Sequence, residues 1–554
     1  MYQSVISGAF RGLDSFLVQV EVDISEGLPC MEMIGYLANE VKESRDRVRV
    51  GIKNSGFSLP IKRVTISLRP ADIRKDGSGF DLPVAIGILL ALDENGKSEK
   101  GVEKSAKGDE QEMTEEDAEK NEESRKSFID STLIIGELGL DGEVKPVKGI
   151  LPILLKASKE GIQNCILPRE NLLEAQNVKT ISLYPADTLR QAYEICKSEN
   201  REKWNGELAN IKSEEKSDAD ISKKGVNTQN HQISDRPDFS QICGQQQARR
   251  AAEIAAAGFH NLLLFGPPGS GKSMIAERIP TILPKMTYEE CLEVTQIYSV
   301  AGLLDAKTGL ITERPYERPH HTITPAALTG GGSHPMPGAI TMAHKGVLFL
   351  DELPEFGREK LDLLRQPLEE KKIRLIRNQY ACDYQCDFMF VAAMNPCPCG
   401  FYPDRRKCNC KEHEVQRYLK RVSGPILDRM DISVEVGKIE WAQLTDKTIA
   451  ESSEEIRARV TAAQEVQLAR QGKFNSALSN EELDAYARME GSAQELLAFV
   501  FDKKQLSIRG YQRIRKLART IADLEGVAVI TRAQVSEAVL LNQGMEAMTK
   551  REGS

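Results

Sequence analysis

No apolar run in this 554-residue chain is long enough to cross a bilayer. The longest, Leu82–Leu92, has eleven residues and contains Pro83 and Gly87, whereas a membrane helix needs about 20. The N-terminus, MYQSVISGAF, lacks a basic stretch leading into an apolar one, so no secretory leader is predicted. A paired cysteine framework is missing too. There are 11 cysteines, four of them crowded between Cys397 and Cys410, which points to a reducing cytoplasm and a metal cluster rather than disulfides. The chain also lacks the basic excess of many nucleic-acid binders. Its net charge is −8, but Asp93–Ser127 holds 13 acidic and 7 basic residues, a net of −6, leaving −2 for everything else. Net charge therefore neither supports nor excludes a nucleic-acid partner, and local patches must decide. That acidic segment has no Ile, Leu, Phe, Tyr or Trp; with nothing to bury, it is expected to be a disordered, solvated insertion.

What is present excludes a small binding module and a mostly disordered chain. Hydrophobic residues make up 40%, and at about 100–200 residues per domain the length allows roughly three or four domains. Residues 1–198 alternate strand-like runs (Leu17–Ile24, Val64–Leu68, Thr132–Ile135) with helical patterns (Asn39–Asn54, Leu82–Leu92). A polar stretch, 199–235, reads as a linker. Residues 236–437 repeat buried β-run, glycine turn and helix, the pattern of an α/β domain with a parallel sheet. Residues 438–554 are helical in period, as in Glu454–Gln467, Glu481–Ala487 and Ile508–Leu524.

The strongest motif is an apolar strand running into Gly266-Pro267-Pro268-Gly269-Ser270-Gly271-Lys272-Ser273 and then a helix. Glycines let successive backbone N–H groups curl round a phosphate, and the helix N-terminus adds its positive end. Lys272 is expected to reach the β- and γ-phosphates of ATP, and the Ser273 hydroxyl to sit on Mg²⁺. Gly346-Val-Leu-Phe-Leu-Asp351-Glu352 is a buried run ending in two acids: Asp351 for Mg²⁺ and Glu352 as general base. Another buried run ends at Asn395, which can orient the water or sense the γ-phosphate; before Pro396 it also fits a simple turn residue. Arg429 closes a short helix and Arg509 opens one. Each also suits a surface ion pair, and only their order and spacing relative to the other motifs argue for transition-state and phosphate contacts.

In that order, GPPGSGKS, VLFLDE, AAMN, ILDRMD and SIRG, the chain resembles an AAA+ P-loop ATPase. The stretch from Arg318-Pro-His320-His321 through Gly330-Gly331-Gly332 to Ala343-His344 is similar to the magnesium-chelatase-like branch, and most of all to the YifB/ComM family. The resemblance spans essentially the whole chain. It implies a hexameric ring, Arg429 acting in trans as arginine finger, Arg509 as a second sensor, and Ile242, Gly244 and Gln245 near adenine. It also implies that an insertion around Thr287–Ile340 and a hairpin before Asn395 face the ring pore. Residues 1–198 resemble a Lon-protease-like, ribosomal S5 domain 2-like α+β domain through Lys75-Asp-Gly77-Ser78-Gly79-Phe80-Asp81 and Gly136–Ile150. The family's catalytic serine and lysine positions fall on Gly79 and Leu151, with Ser78 and Lys148 displaced, so the fold is expected without the protease dyad. Residues 438–554 correspond to the helical lid.

Cys397-Pro-Cys399 and Cys408-Asn-Cys410, flanked by Arg405, Arg406 and Lys407, can supply four thiolates to a tetrahedral Zn²⁺; four reduced loop cysteines are the alternative. Lys371, Lys372, Arg374 and Arg377 fall on the hairpin, where alternate positions share a face suited to a phosphate backbone. Arg509, Arg513, Arg515, Lys516 and Arg519 form a second basic set, and both sets also read as solvated faces balanced by acids. The family resemblance implies an ATP-driven ring motor on single-stranded, forked or branched DNA, acting as helicase or branch migrator in recombination of incoming DNA; no membrane partner is expected. A chelatase-type motor that remodels a metal-insertion partner is the alternative.

Overall fold

The computed structural model describes residues 1–99, 115–198, 201, 204, 237–305, 307–332, 335–377, 380–438 and 450–542. They fall into two compact units. One comprises residues 1–230 with 291–311, the other 231–290 with 312–554. Most of the expected linker lies outside the described residues, and among those described no helix is long and apolar enough to cross a membrane.

The N-terminal unit is built on a seven-stranded mixed sheet. Strand Tyr2–Arg11 pairs antiparallel with Asp14–Ser25, which pairs antiparallel with Arg63–Arg69. On the other side of Tyr2–Arg11, Thr132–Ile134, Asn164–Pro168 and Ser182–Ala186 follow in parallel. In Asp14–Ser25 the alternation decides the faces: Val18, Val20, Val22 and Ile24 are buried, while Gln19 between them is exposed. Helix Asp81–Glu99 packs its apolar run on this sheet. Gly87 permits the close approach, because a Cβ there would lie 2.9 Å from Val22 Cγ2. Helix Asn39–Asn54 has the predicted bounds.

The acidic segment is not a loop throughout. Helix Asp81–Glu99 runs into it and helix Glu115–Asp130 runs out of it; residues 100–114 lie outside the described residues. The ends are tied down by contacts that composition does not reveal. Asp93 pairs with Lys197 at 3.0 Å and Arg125 at 3.1 Å, and Phe128 and Ile129 bury beside the sheet. Residues 291–311 also depart from the sequence reading, since they pack with the N-terminal unit. There Asn177 donates to Gly309 O at 2.6 Å, and Ser299 donates to the buried Glu174, whose carboxyl burial pushes up.

The second unit holds a five-stranded, all-parallel sheet in the order Tyr316–Glu317, Val347–Leu350, Met389–Met394, Leu262–Phe265, Ile432–Glu435. Both faces are covered, which explains the unbroken apolar runs. Leu262, Leu264, Val347 and Phe349 face the helices Gln246–Gly258, Lys272–Ile282, Ser453–Gln471 and Ile508–Leu524. Leu263, Phe265, Leu348 and Leu350 face the opposite core with Leu353, Phe356 and Leu361. Leu262–Phe265 is first in chain order yet lies between the fourth and fifth strands. The topology therefore switches beside it, and such sheets bind ligands outside the strands' carboxyl ends at that point.

Candidate functional site

At that switch point Leu262–Phe265 ends in the glycine loop. Gly269 and Gly271 have φ of +73° and +93° with open space around their missing side chains, so the loop is free to turn its N–H groups inward. Gly271 caps helix Lys272–Ile282. Lys272 is buried; its Nζ donates to the carbonyls of Gly266 and Pro267, each at 2.8 Å, and to Asn395 Oδ1 at 3.2 Å. Burial lowers its pKa while Asp351 opposes the shift. Ser273 Oγ donates to Asp351 Oδ2 at 2.8 Å. Four residues from three parallel strand ends therefore meet: ammonium, hydroxyl, carboxylate and amide.

Glu352 follows Asp351 with φ of +52°, in the left-handed region that a residue with a side chain rarely adopts. The carboxylate is exposed and lies 3.6 Å from His321 Nδ1. On the opposite flank, Gln245 Nε2 bridges the Ser270 carbonyl at 3.2 Å and the Gly437 carbonyl at 2.7 Å. Gly244 has φ of +61°, and Ile242 is buried in the core.

The two arginines are elsewhere. Arg429 donates to the Pro425 carbonyl at 2.5 Å and pairs with Glu369; Arg509 approaches the same Glu369 oxygen at 3.7 Å. Both thus share one carboxylate rather than meeting the glycine loop. Sequence reasoning missed Glu369. It also missed the role of Arg318, whose Nη2 donates to Asp351 Oδ2 at 2.8 Å and Nη1 to Glu277 Oε1 at 2.5 Å. Arg318 stood in the motif that carried the family resemblance, but its partner is 33 residues away and no local pattern links them.

The hairpin Lys372–Arg377 with Tyr380–Gln385 forms in antiparallel register. Lys372 and Arg374 are exposed on either side of buried Ile373. Part of the charge is balanced: Arg374 lies 3.7 Å from Asp383, and Lys371 lies 3.5 Å from Asp387. The side chain of Arg377 lies outside the described residues. The second basic set is largely structural. Arg519 is buried against Asp523, Arg515 pairs with Asp484 at 2.8 Å, and Lys516 donates to the Ser476 carbonyl at 2.9 Å.

Cys397, Cys399, Cys408 and Cys410 converge, their sulfurs all within 4.8 Å of one another. In the N-terminal unit the two positions aligned with the dyad are Gly79 and Leu151. Gly79 faces Ile135 and Val147, Leu151 is fully buried, and displaced Ser78 bonds to Glu137.

Three family models match. "Magnesium chelatase, subunit ChlI" covers 238–444, "Subunit ChlI of Mg-chelatase" covers 20–105 and 118–171, and "Magnesium chelatase, subunit ChlI C-terminal" covers 450–542. The chain is 36% identical to competence protein ComM of Haemophilus influenzae over 99% of its length and 97% of that protein's. It is 37% identical to the uncharacterized protein YifB of Escherichia coli, over 96% of this chain and 95% of that one. A shorter likeness, 30% over 153 residues, joins it to Lon protease 2 of Bacillus subtilis and covers 26% of this chain and 27% of that protein.

Proposed function

The chain belongs to the YifB/ComM family of magnesium-chelatase-like AAA+ ATPases, and from that premise we propose that it is a cytoplasmic, hexameric ring motor that hydrolyses Mg²⁺-ATP to unwind or branch-migrate DNA during recombination of incoming strands. The observation that carries the ATPase part is the convergence of Lys272, Ser273, Asp351 and Asn395 at adjacent strand ends. The Lys272 ammonium exchanges its carbonyl partners for phosphate oxygens. Ser273 and Asp351 hold Mg²⁺, which supplies charge neutralisation. Glu352 takes the proton of the attacking water, and Asn395 orients that water. The thiolate set Cys397, Cys399, Cys408 and Cys410 holds Zn²⁺.

Arg429 serves a neighbouring subunit's site. It bonds to nothing in its own nucleotide loop and is parked on Glu369. An arginine supplied in trans is worth about 10³–10⁵ in turnover. Arg429→Ala is therefore expected to leave ATP affinity intact and lower turnover by about 10³-fold or more. Mixing Arg429→Ala with Lys272→Ala subunits, each inactive alone, should restore part of the turnover, because an intact glycine loop then meets its neighbour's Arg429; no recovery in the mixture removes the trans role.

The DNA substrate rests on the full-length likeness to a competence protein and on exposed Lys372 and Arg374. The family-model name favours a second reading, a motor for a metal-insertion partner. ATPase assays with single-stranded, forked and four-way DNA separate the two. Stimulation of several-fold is expected, falling with salt as phosphate contacts demand; an unchanged rate with every oligonucleotide, together with stimulation by a chelatase partner, would select the second.

A further inference from the structure

The thiolate cluster starts two residues after Asn395. Its Sγ–Sγ distances are 3.4 Å for Cys397–Cys399, 3.5 Å for Cys399–Cys408 and 3.7 Å for Cys397–Cys408. With Zn–S near 2.3 Å, a ZnS₄ tetrahedron has edges of about 3.8 Å. The sulfurs thus stand close to chelating distance, and an all-thiolate donor set suits Zn²⁺. Cys397 and Cys408 are buried and pack on Val415, so the ligands are fixed rather than spread along a loop.

The loop so stapled rests on the nucleotide loop. Gly400, between the two ligand pairs, has φ of +82°, and a Cβ on it would lie 2.5 Å from Pro268 Cδ and 3.1 Å from Pro268 Cγ. Backbone therefore abuts the phosphate-binding turn with no room for a side chain. On the same loop Phe401 lies under the Lys438 ammonium, 5.2 Å away, and Lys438 adjoins Gly437, whose carbonyl accepts from Gln245. At the loop's start, Asn395 accepts from Lys272. The loop that carries the cysteines thus meets the glycine-loop site at Pro268 through Gly400, follows directly from Asn395, and lies beside the Gln245 contact through Phe401 and Lys438.

We infer that Zn²⁺ on Cys397, Cys399, Cys408 and Cys410 is a structural part of the ATP pocket: its occupancy seats Gly400 on Pro268 and holds Asn395 against Lys272, so the metal-loaded chain is the nucleotide-binding form. The inference rests on reading Gly266–Ser273 as the ATP site. Unliganded, the four thiols offer one another only weak hydrogen bonds, and the loop keeps its backbone turns, such as Gly400 N–H to the Cys397 carbonyl and Cys408 N–H to the Asp404 carbonyl; metal coordination adds the folding free energy that joins the two cysteine pairs. Cys397, Cys399, Cys408 and Cys410 act here as positioning residues.

The test uses the full chain in three forms: wild type, the double variant Cys408→Ser/Cys410→Ser, and Gly400→Ala. Zinc per chain is measured by elemental analysis, affinity with a fluorescent non-hydrolysable ATP analogue, and folding by circular dichroism. Wild type is expected to carry about one zinc, with all four thiolates spent on it. The double variant should lose zinc and bind the analogue at least about tenfold more weakly, with its helix content kept. Gly400→Ala should keep zinc yet also weaken the analogue by about tenfold, because the added methyl pushes the loop off Pro268. Zinc-free chain with wild-type affinity overturns the coupling, as does Gly400→Ala with wild-type affinity, a readout that survives even if the double variant fails to fold. Wild type that carries zinc but binds no analogue fails the ATP reading instead, and the coupling with it.

Discussion

Lys272→Ala is expected to weaken binding of ATP by at least about 100-fold while leaving the fold intact. The ammonium is buried and held by the carbonyls of Gly266 and Pro267 and by Asn395. On the proposed ATP reading it is a charged donor that would exchange these acceptors for phosphate oxygens. Charge-assisted hydrogen bonds are roughly twice as strong as neutral ones, and burial makes the loss larger than on a surface. A deficit of at least about 3 kcal/mol, near 100-fold in affinity, follows from removing it. The methyl group left behind also strands two loop carbonyls and the Asn395 oxygen without a donor. Equilibrium binding of a fluorescent analogue measures the loss. Near-normal affinity in this variant would remove the glycine loop from the mechanism, and with it the motor reading.

Glu352→Gln separates binding from chemistry. The residue is exposed, sits in a left-handed backbone conformation and forms no hydrogen bond or ion pair with Lys272 or Ser273. Its substitution therefore leaves the binding groups in place and removes only a proton acceptor. General-base catalysis contributes about 10²–10⁴ in rate, so turnover should fall by that factor with analogue affinity within about threefold of wild type. ATP-dependent assembly should persist and be longer-lived, which size-exclusion chromatography with ATP reads directly. Turnover within tenfold of wild type assigns the base elsewhere, and His321, 3.6 Å from the carboxylate, is then the first place to look.

The fold was legible wherever a period ran unbroken. Asn39–Asn54 and Ile508–Leu524 have the bounds their apolar spacing predicts. The continuous runs Leu262–Phe265, Val347–Leu350 and Met389–Met394 became parallel strands buried on both faces. The acidic segment misled because composition reports what a stretch can bury by itself. It does not report that Asp93 will find Arg125 and Lys197, or that Phe128 will anchor the second helix. The basic helix Ile508–Leu524 misled in the other direction. Arg519 reads as a solvated charge, yet folding buries it beside Asp523.

The glycine loop, its lysine and serine, and the acids after an apolar strand were decided by the sequence alone. Each depends on residues adjacent in the chain, where backbone geometry follows from residue type. The pairing of four cysteines two by two was visible there as well. Tertiary structure alone decided that Arg318 neutralises Asp351, that Arg429 and Arg509 converge on Glu369, that 291–311 packs with the N-terminal unit, and that Gly400 lies on Pro268. Those contacts join residues tens to hundreds of positions apart. Their partners are chosen by how the sheet orders its strands, and strand order leaves no local mark in the chain.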